Sequence, residues 1–140
     1  YCSPVWSPYQ QCDVSALEKV QRRYSKKISG LGNLQYCERL KSLNSLSLAN
    51  KRVYADLLTV YKYTHGLVNC PASEAGLCIS TTATRGGGLR LFQCRAANVA
   101  CGNLFPFRAV SAWNKLPISI VNSKSIGSFK RLLVKHLSCQ

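Results

Sequence analysis

DVSALEKVQRRYSKKISG, running from Asp13 to Gly30, is the stretch whose reading decides the fold. Set on a helix at about 100° per residue, Leu17, Val20, Tyr24 and Ile28 fall within roughly one quarter of the circumference, the spacing of a buried stripe. Lys19, Arg22, Arg23, Lys26 and Lys27 gather on the opposite side. Ser15 followed three positions later by Glu18 has the form of a capping box, and Gly30 supplies a stop. A helix is therefore expected, with five cations on its exposed arc. Like charges one turn apart repel by about 0.2–0.5 kcal/mol per pair, and Glu18 is the one carboxylate inside the helix to offset them. An anionic partner is expected to face the cluster: a phosphate backbone first, an anionic membrane surface second, against the plainer reading of a solvated face.

Outward from this helix the chain reads as mostly α. The opening YCSPVWSPYQQC is broken by Pro4 and Pro8, so it is expected to be extended or turning, with Tyr1, Val5 and Trp6 packed on the basic helix. YCERLKSLN gives a short helix through Leu40 and Leu43 that stops at Asn44. Ser45 or Ser47 can cap the next and longest, whose Val53, Leu57, Val60, Tyr61 and Thr64 recur at three and four before Gly66. Residues 67–88 carry Asn, Pro, Gly, Ser and Thr without periodicity and read as a loop or linker. Leu89, Leu91 and Gln93 alternate as one short strand or hairpin arm. Two further helices are expected, from about Phe107 to Lys115 and from about Ser125 to Leu137. The last turns Ile126, Phe129, Leu133 and Leu137 inward and Lys130, Arg131 and Lys135 outward. The division read from composition is 1–66 as a basic helical subdomain, 67–88 as a linker, and 89–140 as a helical region with a short strand.

At 140 residues and 46% apolar content the chain can bury a core, and disorder throughout is not expected. Nineteen Lys and Arg against five Asp and Glu leave +14, and after Glu74 nine more cations follow with no acidic residue. No apolar run reaches the roughly 18 to 20 residues that span a bilayer, and no signal-peptide pattern is present. The sequence begins at Tyr1 and contains no Met, so a fragment or processed chain is expected. Eight cysteines, at 2, 12, 37, 70, 78, 94, 101 and 139, raise a different class of function: a disulfide-stapled, secreted cationic protein acting on membranes or anionic polymers. Several lie in apolar helical patterns, where a free thiol packs as a small hydrophobe. For metal, Cys94, Cys101, His136 and Cys139 are the nearest approach to a ligand set, at spacings far wider than a zinc signature.

The residue types needed for catalysis are scattered. Five carboxylates and two histidines form no acid–base pair, and both His65 and His136 sit near helix C-termini, where a cation suits the dipole. Asp13 and Asp56 lack the acidic neighbours that two-metal chemistry requires. The three glycines between Arg85 and Leu89 lack the Lys and Ser/Thr of a phosphate-cradling loop.

Several strings coincide in order along the whole chain: YCSPVWSPY leading into LEKVQRR; Leu48, Arg52, Asp56 and Leu57 with VYKYTHG; Thr84, Arg85 and Gly86; Phe107 to Pro117 in the pattern FR.V..WN.LP; and SFKRLL. Together they resemble the C-terminal part of LINE-type, non-LTR retrotransposon reverse transcriptases of the jockey-like kind. The cysteines at 37, 70, 78, 94 and 101, and Pro106, depart from that pattern. The resemblance implies the end of a palm, a thumb and a downstream helical region, without the palm aspartates or the endonuclease. The isolated chain is then no enzyme and holds no cofactor, although its parent polymerase would need Mg. Lys19, Arg22, Arg23, Lys26 and Lys27 would lie on a thumb helix against the RNA template and nascent DNA. The missing palm is the other expected partner, with no membrane and no small-molecule substrate, and the setting is intracellular, nucleus and cytoplasm. A non-functional fragment of a decayed element is the remaining alternative.

Overall fold

A computed structural model describes residues 2–80 and 89–138, so the glycine run and Cys139 lie outside the described residues. The fold is mostly α, as expected. Seven helices appear among the described residues: α1 (Gln11–Lys26), α2 (Tyr36–Ser42), α3 (Leu48–Thr64), α4 (Val99–Gly102), α5 (Phe105–Asn114), α6 (Ile118–Val121) and α7 (Ile126–Ser138). The chain divides into two compact units, Pro8–Arg52 and Tyr1–Ser7 with Val53–Gln140. The boundary falls inside α3, whereas composition placed it at 67–88: a helix interior carries no compositional mark of a boundary.

In the Pro8–Arg52 unit, α1 and α2 pack together. Gly30, at φ +81°, takes the left-handed conformation after α1, and Asn44 (φ 46°) does so after α2. The turn between them returns the chain so that Arg39 of α2 reaches α1. Arg39 is 7% exposed, and its guanidinium donates from Nε to Ser25 Oγ (3.1 Å) and from Nη1 to the Leu34 carbonyl.

In the other unit the core is apolar and aromatic. Leu57, Val60 and Tyr61 of α3 are buried with Ala109, Val110 and Trp113 of α5, Ile120 and Val121 of α6, and Phe129, Leu133 and Leu137 of α7. Tyr61 stacks on Phe129 at 4.2 Å between ring centroids, and its hydroxyl donates to the Ser123 carbonyl (2.8 Å). The period of the sequence put the α3 and α7 residues inward. Ser47 supplies the cap expected for α3, accepting from the Asn50 N–H (3.2 Å), and Ser125 caps α7 in the same way, accepting from the Ser128 N–H (3.2 Å). The expected strand is one antiparallel bridge, Ile79 with Leu91, among the described residues. The Asn114 side chain bonds both the N–H and the carbonyl of Leu91 (3.1 and 2.9 Å), standing where a further strand would pair.

Residues before α1 differ from expectation. Val5 and Trp6 are exposed rather than packed. The segment is fastened instead by Arg108 of α5, whose Nη2 donates to the carbonyls of Ser3 and Pro4 (both 2.9 Å). The same guanidinium forms a two-point ion pair with Asp56 of α3, at 2.8 and 3.2 Å, and donates to the Asn103 carbonyl (2.8 Å).

Candidate nucleic-acid interface

The buried face of α1 is rotated from the one its hydrophobicity predicts. Leu17 and Ile28 are half-buried, but Val20 is 67% and Tyr24 71% exposed. The inward positions are Val14, Leu17, Glu18, Gln21, Ser25 and Ile28, a helical spacing carried partly by polar residues. The cause is a polar network that outweighs the burial of two apolar side chains. The Tyr36 hydroxyl donates to Glu18 Oε1, the Leu48 N–H to Glu18 Oε2 (3.1 Å), Gln21 Nε2 to the Leu46 carbonyl (3.0 Å), and Ser25 receives Arg39. The bonds to the Glu18 carboxylate and from the Arg39 guanidinium are charge-assisted, a kind about twice as strong as neutral ones. Burial and the Glu18 contact push the Tyr36 phenol far above its ordinary range.

The expected Ser15–Glu18 capping box is therefore absent. The helix begins at Gln11, four residues before Ser15, and the Glu18 carboxylate is drawn to Tyr36 and Leu48. Ser15 sits inside the first turns and accepts from Gln11 Nε2 at 3.4 Å.

Lys19, Arg22, Arg23, Lys26 and Lys27 are all exposed. At about 100° per residue they occupy an arc of about 140°, centred on the side away from Ser25. Among the described residues the one ion pair is Arg108 with Asp56, so none of the five is neutralised by a carboxylate. The acidic residues are engaged elsewhere: Glu18 as above, Glu38 on the Gln35 N–H (2.9 Å), Asp56 on Arg108 and Glu74 on the Cys70 thiol (3.0 Å). Asp13, in the first turn of α1, accepts a weak bond from the Cys12 thiol and complements the dipole. Arg22 also stands over the Tyr36 ring, 4.9 Å from its centroid, which fixes one member of the arc in place. A groove of about 450 Å³ runs along this edge of α1, with Lys19, Arg22 and Tyr36 in its wall. The whole Pro8–Arg52 unit holds nine Lys and Arg against three Asp and Glu, a net +6.

No family model, curated protein or solved structure matches the chain.

The other unit has its own basic features. Lys130, Arg131 and Lys135 of α7 are exposed as expected. A groove of about 880 Å³ is bordered by Arg95, Arg108, Lys115 and His136, with no carboxylate among the described residues of its wall. Among the described residues no group of three His, Cys, Asp or Glu could hold a metal ion, and the Cys139 of the wide ligand set lies outside them. The seven described cysteines are unpaired and five of them are exposed; of those in helices, Cys12 of α1 and Cys37 of α2 stand in solvent rather than packing as small hydrophobes. No helix among the described residues is long and apolar enough to cross a membrane. Composition and spacing found the five cations. They missed Arg39 and Tyr36, whose placement depends on the turn that folds α2 back on α1.

Proposed function

We propose that this chain grips the sugar–phosphate backbone of nucleic acid without reading its sequence, through Lys19, Arg22, Arg23 and Lys26 of α1 and Lys27 at its C-terminal cap. The observation that carries the reading is that all five are exposed on one arc of a single helix and its C-terminal cap while the acidic residues are occupied elsewhere. A cluster left unneutralised within its own fold is stabilised by an external polyanion, and phosphate contacts position a strand without carrying sequence information. The resemblance to the C-terminal part of a non-LTR retrotransposon reverse transcriptase supports a particular polyanion, the RNA template with its nascent DNA. In that setting α1 is a thumb helix and the polymerase chemistry, with its Mg, belongs to a palm outside this sequence.

The test is equilibrium binding to several oligonucleotides of unrelated sequence at a series of salt concentrations. Affinity should be the same across sequences within a few-fold and should fall steeply with salt. Binding that survives high salt, or that singles out one sequence, would overturn the proposal.

A further inference from the structure

Two large apolar side chains stand in solvent at the edge of the cationic arc of α1. Val20 and Tyr24 are 67% and 71% exposed, one turn apart, and Tyr24 is followed by Lys27 one turn on and preceded directly by Arg23. At about 100° per residue the Tyr24 side chain leaves the helix about 60° from Lys27 and about 40° from Val20, so ring, aliphatic patch and cations form one continuous surface. Among the described residues no hydrogen bond ties the Tyr24 hydroxyl, whereas Tyr36 and Tyr61, in the same chain, are bonded through theirs. Helical register does not force this exposure: the inward face accepts Gln21 and Ser25 in preference to Val20 and Tyr24.

An exposed aromatic ring beside several cations matches a strand whose phosphates and base faces are both open. A duplex hides its base faces in the stack, while a single strand presents them, and an aromatic platform accepts any base because each has a π-face. We propose that Tyr24, supported by Val20, is a stacking platform that makes α1 favour unpaired over duplex nucleic acid. The inference rests on the phosphate-binding reading above, not on the paired template and nascent DNA that the resemblance favours, and adds to that reading the form of nucleic acid that is held. The occupant is fixed by charge: the ring is bordered by Arg23 and Lys27, so what covers it carries negative charge at the same edge.

The experiment uses the full chain and three probes of about 15 nucleotides: oligothymidylate, an abasic strand of the same length, and a blunt duplex. The unaltered chain should bind oligothymidylate more tightly than either of the others. Tyr24→Ala should weaken oligothymidylate binding by about five- to 150-fold, to the level of the abasic strand, and leave the salt slope unchanged. Tyr24→Phe, which keeps the ring, should bind as the unaltered chain does, and that variant separates stacking from any loss of folding. If Tyr24→Ala binds oligothymidylate undiminished, or weakens all three probes alike, the platform is refuted while the phosphate reading stands. If the unaltered chain binds no probe, both fail together.

Discussion

Arg108 joins three parts of one unit, and its removal has a calculable cost. The pair with Asp56 is largely shielded, with side-chain exposures of 18% and 6%, and the same guanidinium satisfies the carbonyls of Asn103, Ser3 and Pro4. Arg108→Met would keep much of the aliphatic volume but leave the Asp56 carboxylate without the guanidinium that neutralises it. Breaking a shielded pair by deleting one partner costs about 3–5 kcal/mol, against about 0–1 kcal/mol for a pair in solvent. The larger range applies because Asp56 is 5% exposed. Urea unfolding followed by circular dichroism reads the loss as a lower midpoint with little change of slope. The double variant Asp56→Leu with Arg108→Met should recover most of the loss, since an apolar pair in the same space is often neutral or better. Limited proteolysis should also cut within residues 2–7 of the single variant far sooner than in the unaltered chain, because Ser3 and Pro4 lose their donor. A loss below about 1 kcal/mol would show that the pair behaves as a surface contact and would refute the reasoning.

Three further outcomes follow from the same geometry. Phe129→Ala removes a fully buried ring that stacks on Tyr61 and abuts Trp113, and should cost about 3–5 kcal/mol in the same assay. The Tyr36 phenol has its folded pKa raised above the ordinary 10.0, so its contribution is fully present below about pH 10 and is lost as pH rises beyond it. Tyr36→Phe should therefore flatten the alkaline decline in stability, measured by unfolding at a series of pH values. The hydrogen bond to Glu74 raises the Cys70 thiol, so Cys70 should alkylate more slowly than exposed Cys78 near neutral pH, and Glu74→Gln should speed it, as followed by mass spectrometry.

Where burial followed the apolar pattern, the sequence was an adequate guide. The faces of α3 and α7 were legible because Leu57, Val60, Tyr61, Phe129, Leu133 and Leu137 repeat at helical spacing, with Asp56 the one charged residue drawn in beside them by Arg108. α1 was legible as a helix but not in its rotation. Its partner face is built from Glu18, Gln21 and Ser25, and such residues turn inward when a donor such as Arg39 or Tyr36 is brought opposite them, which local periodicity does not encode. The same rotation kept the cations outward and moved Val20 and Tyr24 beside them. The four-residue helices α4 and α6 were missed because each is little more than one turn, ordered by its neighbours rather than by a pattern of its own. Pro106, which reads as an interruption, sits in the first turn of α5, where its missing N–H costs nothing.

The salt dependence of oligonucleotide binding, compared between the unaltered chain and the variant Arg22→Glu, Arg23→Glu, Lys26→Glu, tests the central claim most directly. With five phosphates neutralised on a single strand, log affinity should fall against log salt with a slope of about −3.5, and the variant should flatten it to about −1.4 or less. Equal slopes for the two proteins would place the polyanion contacts elsewhere and contradict the account.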